Sequence, residues 1–172
     1  LQRLQETGLS RDQIDIVVVS HLHYDHFINA EIFPRATIMV PKRDLEYVLS
    51  GEYLQAKDPY VPTGLVRYLR DHLVPMEDGQ SIVPGLKVTA LPGHTPGTMG
   101  LYYEEDGILF ASDAVKNAWE FCRNEPPTTF FSRAVAMENY ARIREIARII
   151  VPGHDRHFRL GKDNSVQYLG QY

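Results

Sequence analysis

Four apolar, β-branched runs in this sequence each end, within a few positions, in histidine or aspartate: IDIVVVSHLHYDH (14–26), LKVTALPGH (86–94), GILFASD (107–113) and ARIIVPGH (147–154). A short continuous apolar run such as 14–20 reads as a strand buried on both faces, and an alternating run such as LKVTALP reads as a half-buried strand. Strand ends in layered α/β folds are where ligands and metals gather, because rigid backbone there aims side chains into a crevice. A chain with four such ends is therefore constrained to a fold that brings strand termini together.

The connecting segments fit that class. Residues 1–7 read as the end of a helix stopped at Gly8, and ATIMVP (36–41) as another strand. KRDLEYVLSG carries Leu45, Val48 and Leu49 at helical spacing, and residues 132–147 place Val135, Tyr140, Ile143 and Ile146 in 3.6-residue register. TMGLYYEEDGILFASD (98–113) reads as a hairpin turning at Asp106-Gly107. ARIIVP reads as the last strand before GHDRH. Strands interleaved with helices indicate the α/β class. The stretch 42–71, with Pro59, Pro62 and Gly64 as breakers and tyrosines at 47, 53, 60 and 68, reads as a helical insertion or lid.

Composition narrows the function classes. A length of 172 residues suits one domain, and 44% hydrophobic with 23% charged residues is ordinary for a soluble globular protein. No apolar run reaches the length of a membrane span. The opening residues read as neither a secretory signal nor a transit sequence, so the expected location is cytoplasmic. The single cysteine, Cys122, rules out an intrachain disulfide and a cysteine-built zinc site. A net charge of −4 without any block of five like charges disfavours nucleic acid as a partner.

Five of the seven histidines sit at the strand ends, at positions 21, 23, 26, 94 and 154, and Asp25 and Asp113 join them. A surface cluster or satisfied core imidazoles would explain any one of these residues, but not the set. In an extended His-x-His the outer side chains point the same way, so His21 and His23 can grip one ion; Asp25 continues that alternation and His26 lies past a turn. Imidazole and carboxylate suit zinc, iron or manganese. Seven donors exceed one tetrahedral site, so two divalent ions are the natural count, with Asp113 able to bridge. Such a pair can polarise a carbonyl or phosphoryl oxygen and hold a hydroxide.

HLHYDH, PGHTPG, ASDA and VPGHD, in that order, resemble the metallo-β-lactamase superfamily of hydrolases over about residues 8–157. The resemblance implies a four-layer αβ/βα sandwich. It implies His21, His23 and His94 as ligands of a first metal and Asp25, His26 and His154 as ligands of a second. Asp113 bridges, and Asp25 is the catalytic residue that orients or deprotonates the attacking water. Gly93, Gly97 and Gly153 would set the adjacent histidines through tight backbone. The family normally places several strands before the first histidine motif, whereas only 20 residues precede His21. The expectation is an N-terminally incomplete sandwich whose sheet edge is exposed or covered by a partner chain, a homodimer among the options. FINA after His26 also lacks the glycine many relatives carry there.

The complete HxHxDH and an aspartate at the bridging position resemble lactonases, hydroxyacylglutathione-type thioesterases and nucleases more than zinc β-lactamases. With 18 residues after His154, there is little room for the helical extension of the glutathione thioesterases. The resemblance thus implies a metal-dependent hydrolase that uses a metal-bridging hydroxide to cleave an ester, lactone or thioester in a small molecule. The rivals are a phosphodiesterase or nuclease, an iron-dependent redox enzyme of the same fold, and a non-catalytic domain. Beside Asp113, Trp119 and Phe121 are candidates to line a pocket. Lys116 and Arg123 read as solvated charges, Cys122 as a small buried hydrophobe, Tyr24 as packing, His72 as structural and His157 as a candidate partner of a ligand.

Overall fold

The TIMVP strand sets the first half of the molecule. In the computed structural model, which describes residues 2–161 and 165–170, β2 (Thr37–Pro41) is buried at four of its five positions. It lies in the middle of a three-stranded parallel sheet between β1 (Ile16–Val18) and β3 (Leu73–Met76). A central parallel strand is covered on both faces, which its apolar run anticipates. β1, by contrast, is an edge strand with Ile16 39% exposed. The expectation that the 14–20 run is buried on both faces is therefore corrected: only three residues pair, and on one side alone.

The chain divides into two compact units, Leu1–Met76 and Glu77–Tyr172. The first begins with α1 (Gln2–Glu6) and carries α2 (Tyr24–Phe27), α3 (Lys42–Ser50), α4 (Glu52–Gln55) and α5 (Thr63–Leu69) around its sheet. In α3 the buried residues are Asp44, Tyr47 and Val48, spaced i, i+3, i+4, so one stripe faces inward. α3 ends at Gly51, whose φ of 85° is the left-handed cap that a side chain would resist. Phe27, Val40, Val48, Val66 and Leu73 belong to one core cluster.

The second unit is built on a seven-stranded sheet in the order β10-β9-β8-β7-β6-β5-β4. Its strands are β4 (Ser81–Val83), β5 (Leu86–Ala90), β6 (Met99–Tyr103), β7 (Ile108–Ser112), β8 (Ile149–Pro152), β9 (Phe158–Leu160) and β10 (Val166–Tyr168). The hairpin expected over 98–113 is β6–β7, paired antiparallel from Leu101–Phe110 to Tyr103–Ile108. Among the described residues, β7 and β8 are the parallel pair of this sheet. The crossover between them supplies α6 (Ala118–Cys122) and α7 (Arg133–Ile146), as a parallel connection demands. α7 starts at Ser132, whose hydroxyl accepts the Val135 N–H. Its Tyr140 and Ile143 are buried with Leu109, Phe121, Ile150 and Phe158 in a second core cluster. β8 is the strand expected before GHDRH, and β9 and β10 follow that segment. Among the described residues no helix is long and apolar enough to cross a membrane.

Candidate metal centre

In the first unit the HLHYDH loop leaves β1 and enters α2. His23 is extended (φ −81°, ψ 151°) and stands at the helix N-terminus, so the alternation expected through Asp25 stops there. The reason is local. Helical turns begin at Tyr24, with His26 and Phe27 N–H groups donating to the His23 carbonyl. Asp25 and His26 are consequently neighbours on one helical turn, His26 Nε2 lying 3.6 Å from Asp25 Oδ2. The imidazoles of His21 and His23 meet edge-on at 4.7 Å, and those of His21 and His26 lie 4.2 Å apart between centroids. His21 and His23 are buried, whereas the Asp25 side chain is 40% exposed.

Two buried carboxylates from the 42–71 stretch hold this loop. Asp44 Oδ2 accepts the Leu22 N–H at 3.0 Å. Asp58 Oδ2 accepts from His23 Nε2 at 2.9 Å and from the Tyr47 hydroxyl at 3.2 Å, while Asp58 Oδ1 accepts the Tyr60 N–H at 3.0 Å. Burial pushes the Asp58 carboxyl up. The hydrogen bonds from His23, the Tyr60 N–H and the Tyr47 hydroxyl outweigh that and leave it below the ordinary carboxylate value. Burial and the Asp58 charge push the Tyr47 hydroxyl up, keeping it protonated as the donor. A carboxylate only accepts, so a neutral His23 that bonds to Asp58 does so as the Nε2–H tautomer.

In the second unit the four-atom contact is centred on Asp113. Its Oδ2 lies 3.6 Å from His94 Nε2 and its Oδ1 lies 3.3 Å from His154 Nε2. His94 is fixed at its other nitrogen: Nδ1 donates to the Thr128 carbonyl at 2.6 Å, and the His94 carbonyl accepts the Phe130 N–H at 2.7 Å. Asp113 follows a break in the β7–β8 register and Ser112 at φ 49°, a left-handed conformation unusual for serine. The Gly153 N–H donates to the Ser112 and Val115 carbonyls at 3.0 and 3.1 Å, and the His154 N–H to the Lys116 carbonyl at 2.9 Å. A Cβ at Gly153 would overlap Asp113 Oδ1. At Gly93, φ is 142° and a Cβ would stand 2.7 Å from that of Ala136, so glycine there is dictated twice over. Asp155 pins the segment after His154, accepting the Ala118 N–H and the Tyr168 hydroxyl, both at 3.0 Å.

His21, His23, Asp25 and His26 thus gather in one unit, and His94, Asp113 and His154 in the other. The donor chemistry fits divalent ions. The imidazoles of His23 and His94 each have one nitrogen held by an oxygen acceptor, the arrangement that fixes the tautomer of a metal-binding histidine. Asp58, Asp44 and Thr128 belong to no motif, Tyr47 stood out only as one of four tyrosines, and Asp155 closes VPGHD without a role of its own in the sequence. The one signal at Asp58 is an acidic residue before Pro59 in a tyrosine-rich stretch. Phe121 does not line a pocket: it is fully buried in the core, where Arg144 lies 4.3 Å over its ring. Trp119 is exposed, with Arg123 stacked on it at 4.7 Å. Tyr24 stacks on Tyr60 with centroids 6.2 Å apart.

Comparison with known proteins agrees with the ordered motifs. The family model described as the metallo-beta-lactamase superfamily matches residues 1–154. An N-acyl homoserine lactonase of Bacillus thuringiensis is 27% identical over 159 residues, covering 88% of this chain and 60% of the relative. A metallo-beta-lactamase domain-containing protein 1 of Xenopus laevis is 30% identical, covering 94% of this chain and 63% of the relative. Among solved structures, an N-acyl homoserine lactone hydrolase with the product N-hexanoyl-L-homoserine at its catalytic metal centre superposes with a TM-score of 0.70. It is 26% identical, and the match covers 89% of this chain and 60% of that one. The chain therefore spans about 60% of the length of the first curated relatives it matches.

Proposed function

The chain belongs to the metallo-β-lactamase superfamily, whose α/β fold it shares, and we propose that it acts there as a hydrolase that uses two divalent metal ions to open a lactone or to cleave a related ester or thioester of a small molecule. His21, His23 and His94 would hold one ion, Asp25, His26 and His154 the other, and Asp113 both. Zinc suits imidazole and carboxylate donors best, with iron and manganese sharing that preference in part. When bound, such a pair supplies a water acidified toward neutrality and a positive charge for the acyl oxygen.

The chain's own residues do the rest. Asp25, the most exposed of the donors in its loop, takes the proton of the attacking water and returns it to the leaving oxygen or sulfur. His23 and His94 keep their ring orientation through Asp58 and the Thr128 carbonyl. The observation that carries the reading is Asp113, whose two oxygens each face a different imidazole nitrogen, as a ligand shared between two ions requires. The relatives named as lactonases support a lactone as the first substrate class.

Elemental analysis after loading tests the metal count, with about two ions per chain expected. A panel of acyl lactones, thioesters and phosphodiesters tests the bond cleaved. Lactone or thioester turnover abolished by Asp25→Asn supports the proposal. A metal-replete protein that turns over none of these carbonyl substrates, or that cleaves only phosphodiesters, overturns it.

A further inference from the structure

Asp58 stands 35 residues from His23 in sequence, outside every motif, and yet its side chain is fully buried directly against that imidazole. It has three donors: His23 Nε2, the Tyr47 hydroxyl and the Tyr60 N–H. Tyr47 comes from the inward stripe of α3, so two separate parts of the 42–71 stretch converge on one imidazole. We propose that Asp58, backed by Tyr47, is a positioning residue that fixes His23 as the Nε2–H tautomer and thereby presents Nδ1 as the metal-binding atom. The proposal rests on the reading of His23 as a metal ligand.

Three features favour this role over a plain structural one. A neutral imidazole chooses its proton site by the acceptor it meets, and a carboxylate acceptor at 2.9 Å leaves one choice. The Tyr47 hydroxyl shares the oxygen that faces His23, so that oxygen is fixed in space and not merely nearby. The Tyr60 N–H fixes the second oxygen, which removes the remaining rotation of the carboxylate. Hydrogen-bond partners of this kind hold the ring angle as well as the tautomer.

The test uses zinc affinity by chelator competition together with long-range proton–nitrogen NMR of the histidine rings. The wild-type His23 is expected to show a protonated Nε2, both before and after zinc loading. A wild-type spectrum with the proton on Nδ1 overturns the proposal without any variant. Asp58→Ala is expected to lower zinc affinity by about 10–100-fold and to mix the His23 tautomers. Asp58→Asn, whose amide oxygen still accepts, is expected to retain the Nε2–H tautomer and recover part of the affinity. An Asp58→Ala protein that folds, binds zinc as wild type and keeps one tautomer overturns the proposal. Should Asp58→Ala not fold, the wild-type spectrum and Asp58→Asn decide: an Asp58→Asn protein with mixed tautomers and full affinity overturns it. His23→Ala separates the two levels of the argument. Unchanged zinc affinity in His23→Ala defeats the ligand reading itself, whereas a loss there with none in Asp58→Ala defeats only the positioning role.

Discussion

Replacing Gly153 by alanine adds one methyl group at the most crowded point of the second unit. Its Cβ would overlap Asp113 Oδ1 and stand 3.0 Å from the Ser112 carbonyl carbon and 3.1 Å from Asp113 Cγ. The backbone has little room to retreat, because the Gly153 N–H is already bonded to the Ser112 and Val115 carbonyls. Gly153 has no left-handed φ to lose, so the effect is steric. Fewer unfolded conformations would favour alanine by about 0.4–1 kcal/mol. Overpacking of this kind costs about 1–3 kcal/mol. The balance is a destabilisation of about 1–2 kcal/mol, with the Asp113 carboxylate displaced from His154. For the proposed hydrolysis, a shift of about 1 Å in such a group would lower turnover by about 100-fold. Urea unfolding by circular dichroism and metal content of the loaded protein read the two effects separately. Gly64→Ala is the control: nothing lies within 4 Å of its Cβ in α5, and it should stabilise by about 0.5–1 kcal/mol. A Gly153→Ala protein that gains stability like the control, with full metal content, would refute the claim that the glycine is required by Asp113.

Other perturbations have defined outcomes. Phe121→Ala, which empties a fully buried aromatic site, should cost about 3–5 kcal/mol in urea unfolding. Tyr47→Phe removes one of the three donors to Asp58 and should cost about 0.5–1.5 kcal/mol, read by the same assay. Burial pushes the Cys122 thiol above its ordinary value, so alkylation at pH 8 should be slow in the folded protein and fast in denaturant. Because the folded thiol is the weaker acid, its contribution to stability is complete below the unfolded pKa of about 8.5 and is lost as pH rises through the folded value. Equilibrium unfolding measured from pH 7 to pH 10 should show that downward slope, and Cys122→Ala should flatten it. Stripping metal with a chelator should lower the melting temperature, since an ion that binds only the folded state stabilises it by mass action.

The strand ends were readable because their signal is local. An apolar run followed by His or Asp announces itself within ten residues, and β1, β5, β7 and β8 stand where those runs fall. The hairpin over 98–113 and the long helix α7 were readable for the same reason, turn chemistry in one and a 3.6-residue repeat in the other. β3, β4, β9 and β10 were not, because each has only three or four residues and LVPM even contains a proline. Too short a run gives no periodicity, and such strands form because neighbours offer a ladder to complete. Asp25 was assigned the wrong geometry since the start of α2 at Tyr24 is fixed partly from outside the motif: the Tyr24 N–H donates to the Tyr60 carbonyl. Asp44 and Asp58 were invisible on similar grounds. Their partners, Leu22 and His23, lie 22 and 35 residues away, and only the folded chain brings them together.

The 42–71 stretch has a consequence for anyone who would diversify this protein. A wall of helices and tyrosines invites random libraries aimed at new specificity. Here, however, the side chains of Asp44, Tyr47 and Asp58 and the backbone of Tyr60 brace the histidine loop, so side-chain changes at Asp44, Tyr47 and Asp58 would loosen that loop whatever the specificity sought. Leu54 and Tyr68, 68% and 76% exposed in the same stretch, have no such duty. Mutational freedom and scaffold constraint are interleaved residue by residue in this segment, and a library that respects the interleaving should keep far more of its members alive than one drawn uniformly across it.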